Sequence, residues 1–151
     1  MDVLKLPPHN FPERENDCAI WALAAFLSKP YEDVLVEAAK EDPLAGKEGL
    51  HVSQIQRIAA RLGTPLQFTL QKHFQKTKAH PEGKWYGREV DLEEDIGILS
   101  VWLIENGRKY GHVAVLFSGK VLDSVGGTMI WDAETYCHPS RAIVHGLLRV
   151  K

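Results

Sequence analysis

Two cysteines and seven histidines carry most of the nucleophilic and titratable chemistry that this 151-residue chain offers near neutral pH. The cysteine with informative neighbours is Cys18, in the run Asn16-Asp17-Cys18 just ahead of the wholly apolar Ala19 to Leu27. A thiol is a weak nucleophile until it ionises, and the N-terminus of a helix favours the thiolate through the partial positive charge of its free amide groups. Asp17 is a cap-type residue, so the spacing predicts a helix from Cys18 to Leu27 with the cysteine in its first turn. The Cys18 N–H would then be available to stabilise an oxyanion. Taken alone, the same cysteine reads better as a small buried apolar residue at the start of a core helix.

His112 shifts that balance. It follows Gly111 near the start of an apolar run that ends at Ser118-Gly119, and Lys120-Val121-Leu122-Asp123 comes next. If Ser118 and Gly119 form a two-residue turn, Phe117 pairs with Lys120 and Ala114 stands opposite Asp123. His112 is then the diagonal neighbour of Asp123 on one face, about 7–8 Å away backbone to backbone and within side-chain reach. A turn one residue longer would break the relation. An acid between Leu122 and Val125 is unusual for a plain core strand, and a histidine to orient is a sufficient reason for it. A His–Asp hydrogen bond at a sheet edge is a common structural device. Joined to a distant cysteine at a helix start, it fits better as a hydrolase with Cys18 as nucleophile, His112 as base and Asp123 orienting the ring.

The remaining polar groups fit plainer roles. Cys137 and His138 are adjacent, so on a strand they point to opposite faces, and a surface loop is the expected setting. His51, His73, His80 and His145 show no ligand-like spacing with a cysteine, and a zinc site needs four such groups. Glu93-Glu94-Asp95 reads as a solvated turn.

These residues need elements to hold them. Ala19 to Leu27 is apolar on every side, which predicts a central, buried helix. Ser28-Lys29-Pro30 ends it and opens a second helix, where Tyr31, Val34, Leu35 and Ala38 recur at helical spacing. A third follows the Gly46–Gly49 loop with a stripe of Ile55, Ile58, Ala59 and Leu62, and Gly63 with Pro65 ends it. Leu66, Phe68 and Leu70 alternate as in a half-buried strand. Residues 71–95 are polar apart from Trp85-Tyr86 and read as a long loop of the kind that often borders a binding site. Ile98 to Ile104, His112 to Phe117 and Val121 to Val125 form an antiparallel meander, with Asn106-Gly107 as a hairpin turn. A further strand over Ile143 to Val150 closes the chain. Helices first and antiparallel strands second is an α+β arrangement, expected as a single domain over residues 1–151.

With these elements in place, Asn16 to Ala24 resembles the nucleophile helix of papain-like cysteine peptidases. The likeness is greatest to the branch that processes double-glycine bacteriocin leaders and to its phage-borne relatives. Gly111-His112-Val113-Ala114-Val115 and Lys120-Val121-Leu122-Asp123 resemble that family's histidine and acid strands, so the likeness runs from about Asn16 to Val125. It implies an N-terminal helical lobe with a buried nucleophile helix, a C-terminal antiparallel β-sheet and a cleft between them. It also implies thiol acyl transfer on a protein or peptide substrate without a cofactor. Two positions depart from the family pattern. Ala19 stands where glycine usually follows the nucleophile. Pro12 occupies the place of an upstream glutamine that donates to the oxyanion, which leaves Asn16, or else Asn10, as the second donor. A catalytically weak protein-binding module and a transamidase or other acyltransferase are the alternative functions.

Composition closes off other classes. A net charge of −2, with 18 basic residues scattered against 20 acidic ones, leaves no electrostatic footprint for nucleic acid. No stretch has the length and apolarity of a membrane span, and Met1 to Asn10 lacks the apolar core of a signal peptide. With only two cysteines a disulfide framework is not expected, and a reduced, cytoplasmic setting is the simpler reading.

Overall fold

Helix α1 (Cys18–Leu27) buries every residue from Ala19 to Ala25, as its all-round apolarity predicts. The structure, a computed structural model, describes residues 17–45, 49–71, 74–79, 81, 83–85, 89–124 and 129–151. α1 ends where Ser28 turns into the left-handed region (φ 53°) and its N–H reaches back to Ala25 O. Pro30 precedes α2 (Tyr31–Glu41), whose buried side is Tyr31, Val34 and Ala38. In α3 (Val52–Arg61) the stripe of Ile55, Ile58 and Ala59 is fully buried, and Gln54 Oε1 accepts the His51 N–H at 2.8 Å to close its first turn. Arg57 and Arg61 both pair with Glu41, tying α3 to α2.

The strands are β1 (Leu66–Leu70), β2 (Phe74–Gln75), β3 (Lys84–Trp85), β4 (Ile96–Glu105), β5 (Arg108–Phe117), β6 (Lys120–Asp123), β7 (Met129–Asp132) and β8 (Ala142–Val150). A one-turn helix, α4 (Ala133–Tyr136), joins β7 to β8. Six strands form one antiparallel sheet in the order β1-β8-β4-β5-β6-β7, and β2 pairs separately with β3. The chain is thus α+β, with its three longer helices first.

Both hairpin turns have the positive φ values that a two-residue loop between twisted strands requires: Asn106 51° and Gly107 75°, then Ser118 42° and Gly119 87°. Phe117 accordingly pairs with Lys120, as the sequence predicts, and the register continues through Leu116–Val121 and Val115–Leu122. Both faces of the sheet are covered. Ile98, Val113, Val115, Leu122 and Leu148 pack under the helices. Leu99, Val101, Ala114, Leu116, Val121 and Leu147 pack on the opposite side with Ala133, Tyr136 and Val90. Burial on two faces explains why β4 and β5 are apolar in continuous runs rather than in alternation.

Two expectations need correction here. Residues 71–95 are not one structureless loop, since they contain the β2–β3 ladder. Their last part is also tied to the sheet. Gln71 Oε1 accepts the Val90 N–H at 3.1 Å, Gly119 donates its N–H to Leu92 O at 2.9 Å, and Arg149 donates to Asp95 at 2.5 Å. Of the Trp85-Tyr86 pair, Tyr86 lies outside the described residues. Cys137 does not sit on a surface loop: it follows α4 and is buried in the second core, while His138 beside it is exposed. β7 and α4 were not legible as elements, because Met129 to Tyr136 is too short for either periodicity to show.

Candidate active site

α1 lies against β5, and this packing brings the start of the helix to His112. Asp17 occupies the N-cap position of α1, yet its side chain makes no capping bond. It is buried (3% exposed) and its Oδ2 accepts the Tyr31 hydroxyl at 2.8 Å. The expected cap is therefore a strut: it fixes the beginning of α1, and so Cys18, against the first residue of α2. Cys18 itself is the first helical residue and is half-buried.

His112 lies in β5 opposite Val101 and is buried (7% exposed). Extending the β5–β6 register by one step sets Ala114 opposite Asp123, which gives the diagonal relation that the sequence predicts. His112 Nε2 and Asp123 Oδ1 are 2.8 Å apart. The Cys18 side chain lines the same cleft as this ring and interacts with it electrostatically. Burial is the largest single influence on His112 and pulls its pKa down. The hydrogen bonds and charges of Asp123 and Cys18 together outweigh it and raise the ring from 6.5 to about 10. Such a ring is held as an imidazolium between two acids.

A fourth residue completes the chain of bonds. Tyr136, on α4, is fully buried and donates its hydroxyl to Asp123 Oδ2 at 2.6 Å. Burial and the Asp123 charge push the phenol far above its ordinary value, so it stays a donor. The carboxylate thus has one oxygen on His112 and one on Tyr136, which fixes its plane. Arg141 holds α4 in place: its guanidinium lies 4.1 Å above the Trp131 ring and 4.5 Å above that of Tyr136, and it donates to Tyr136 O at 3.2 Å. Sequence reasoning missed Tyr136. Asp132 followed by Ala133-Glu134 is a helix-start signal that could have placed it.

The thiol opens on a cleft of about 630 Å³. One wall is the segment from Gly49 to Ile55 leading into α3, and the other is β4, β5 and β8 at Ser100 to Trp102, Gly111 to Val113 and His145. Ser100 Oγ lies 3.2 Å from His145 Nδ1, and burial lowers the His145 pKa. Asn16, Asn10 and Pro12, which bear on the second oxyanion donor, lie outside the described residues. Among the described residues no three His, Cys, Asp or Glu side chains converge as metal ligands would, and no helix is long and apolar enough to cross a membrane. Comparison with known proteins finds no family model that matches the chain and no match among curated proteins.

Proposed function

We propose that this chain is a papain-like, thiol-dependent amide hydrolase, a cysteine peptidase or isopeptidase-like enzyme acting on a protein or peptide. The observation that carries the reading is the hydrogen-bonded series His112–Asp123–Tyr136 with the Cys18 thiol beside the His112 ring at an open cleft. A buried structural His–Asp pair would have no need of a helix-terminal cysteine on the ring's other side.

The chemistry follows from these positions. The Cys18 thiolate attacks the carbonyl carbon, the carbon–sulfur bond forms and the carbonyl electrons move to oxygen. The Cys18 N–H, at the first position of α1 where no helical carbonyl claims it, supports that oxyanion. When the carbon–nitrogen bond breaks, the His112 imidazolium gives its proton to the departing amine. His112, now neutral, takes a proton from water, whose oxygen attacks the thioester; the acid is released and Cys18 is restored. Asp123 stabilises the imidazolium throughout and Tyr136 keeps the carboxylate in plane. No step requires a cofactor, and two unpaired cysteines suit a reduced, cytoplasmic setting.

A mixture of unmodified peptides digested in ¹⁸O-water tests this directly. New C-termini should appear carrying ¹⁸O, and Cys18→Ala should abolish them. New amide linkages without ¹⁸O would turn the reading to acyl transfer. Cleavage of no peptide by the wild-type chain would turn it to a protein-binding module.

A further inference from the structure

The carbonyl of Asp17 accepts the Trp21 N–H at 3.0 Å, the first helical bond of α1, which makes Asp17 its N-cap. A capping aspartate turns its carboxylate onto the amide of the second or third helical residue, here Ala19 or Ile20. Asp17 does not. Its backbone (φ −98°, ψ 12°) lies in the bridge region, where many active-site residues sit, and not in the extended region that capping uses. Its Oδ2 is bonded to the Tyr31 hydroxyl instead. The N-cap of α3, His51, is extended by contrast (φ −77°, ψ 157°) and its first turn is closed. Among the described residues no group accepts from the N–H of Cys18, Ala19 or Ile20.

α1 can forgo a cap because tertiary burial holds it from Ala19 to Ala25. What the open turn gains is chemical. Cys18 and Ala19 both line the cleft. A carboxylate bonded to the Ala19 or Ile20 amide would stand beside the Cys18 N–H, where the oxyanion of a thiol attack forms. It would repel that charge as the charge develops. Asp17 and Tyr31 are both buried, so their bond is shielded from water. Without the hydroxyl the buried carboxylate oxygen is short of a donor, and the open amides of α1 are the donors an N-cap side chain is built to reach.

We propose that Tyr31 is a positioning residue for the hydrolysis: it holds the Asp17 carboxylate off the first turn of α1 and so keeps the amide of Cys18 open to the oxyanion. Tyr31 touches neither substrate nor reacting atoms and acts through Asp17. The inference rests on the hydrolase reading and adds to it a residue of α2. It accounts for an N-cap aspartate that leaves its own helix uncapped, which a plain contact between two helices does not require.

The peptide that the wild type cuts fastest from the ¹⁸O-water mixture serves as substrate. Tyr31→Phe should lower kcat about tenfold or more with KM little changed, since the outright loss of an oxyanion donor costs about a hundredfold or more. Adding Asp17→Ala should restore most of that loss, because alanine has no carboxylate to turn onto the helix. Iodoacetamide forms no oxyanion, so at its pH plateau it should modify Cys18 equally fast in all three chains. Where Tyr31→Phe does not fold, the double variant carries the test alone. It lacks both partners of the buried bond, a change close to neutral for folding, and its kcat should stay within about tenfold of wild type. An unchanged kcat in Tyr31→Phe, an alkylation rate that falls with kcat, or a double variant that is unfolded or no faster than Tyr31→Phe would overturn the proposal; the last two would make the pair a structural pin. If the wild type cuts no peptide, the hydrolase reading fails and this one with it. If it cuts while the variants break the pattern, only the role of Tyr31 fails.

Discussion

At the scale of the residue, the site is a relay of acids around one ring. His112 would be neutral if burial acted alone, and it is the pairing with Asp123 and Cys18 that holds its proton. Asp123 accepts from His112 and Tyr136 at once, so each donor depends on the other for its geometry. Tyr136→Phe leaves one buried carboxylate oxygen short of a donor, which costs about 1–3 kcal/mol. Urea denaturation should show that loss, and peptide turnover should fall through kcat with KM little changed, because Tyr136 bonds Asp123 and does not line the cleft. Asp123→Asn should fold and lose more activity than Tyr136→Phe. In the double variant the Tyr136 change should add little, as expected of groups that work as a unit. Cys18, His112 and Asp123 were legible because each signal is local: a cap-type residue before an apolar run, a two-residue turn and a register count. The Asp17 cap was misread because its partner, Tyr31, is 14 residues away and propensity rules see only the helix it precedes.

At the scale of the element, two hairpin turns decide everything downstream. Asn106-Gly107 and Ser118-Gly119 both supply positive φ, and their two-residue length sets β4, β5 and β6 in the one register that faces His112 toward Asp123. These turns were readable because their chemistry resides in adjacent residues. The place of β8 was not, since it inserts between β1 and β4, far from both in sequence, and the β-bulge at His145 arises only from that pairing. Close packing along β8 is also where the sheet is least tolerant. A Cβ on Gly97 would fall 2.2 Å from Leu148 O, so β4 and β8 would have to separate. Gly97→Ala should lower stability by about 3 kcal/mol, at the upper end of overpacking costs. A midpoint in thermal or urea unfolding equal to wild type would mean that the two strands are not so closely joined.

At the scale of the whole molecule, the helices position Cys18 and the sheet positions His112 and Asp123, so the site exists only when α1 is packed on β5. That dependence couples folding to protonation. His112 has a higher pKa folded than unfolded, about 10 against 6.5, so the folded chain binds the proton more tightly. The resulting stability is complete below pH 6.5 and is lost as the pH rises toward 10. Thermal midpoints should therefore fall more steeply between those limits in the wild type than in His112→Gln, and parallel profiles would show that His112 is not held as an imidazolium.

The central claim is that His112 makes a reactive thiolate of Cys18, and the alkylation rate at pH 6 tests it most directly. A free thiol is almost wholly protonated there, and Cys137 is buried with its thiol pushed up to about 12 by burial, so neither background is fast. With iodoacetamide at pH 6, modification should be confined to Cys18 and should slow roughly tenfold or more in His112→Ala. Reaction of Cys18 at the rate of a free thiol, unchanged by the loss of His112, would contradict the account.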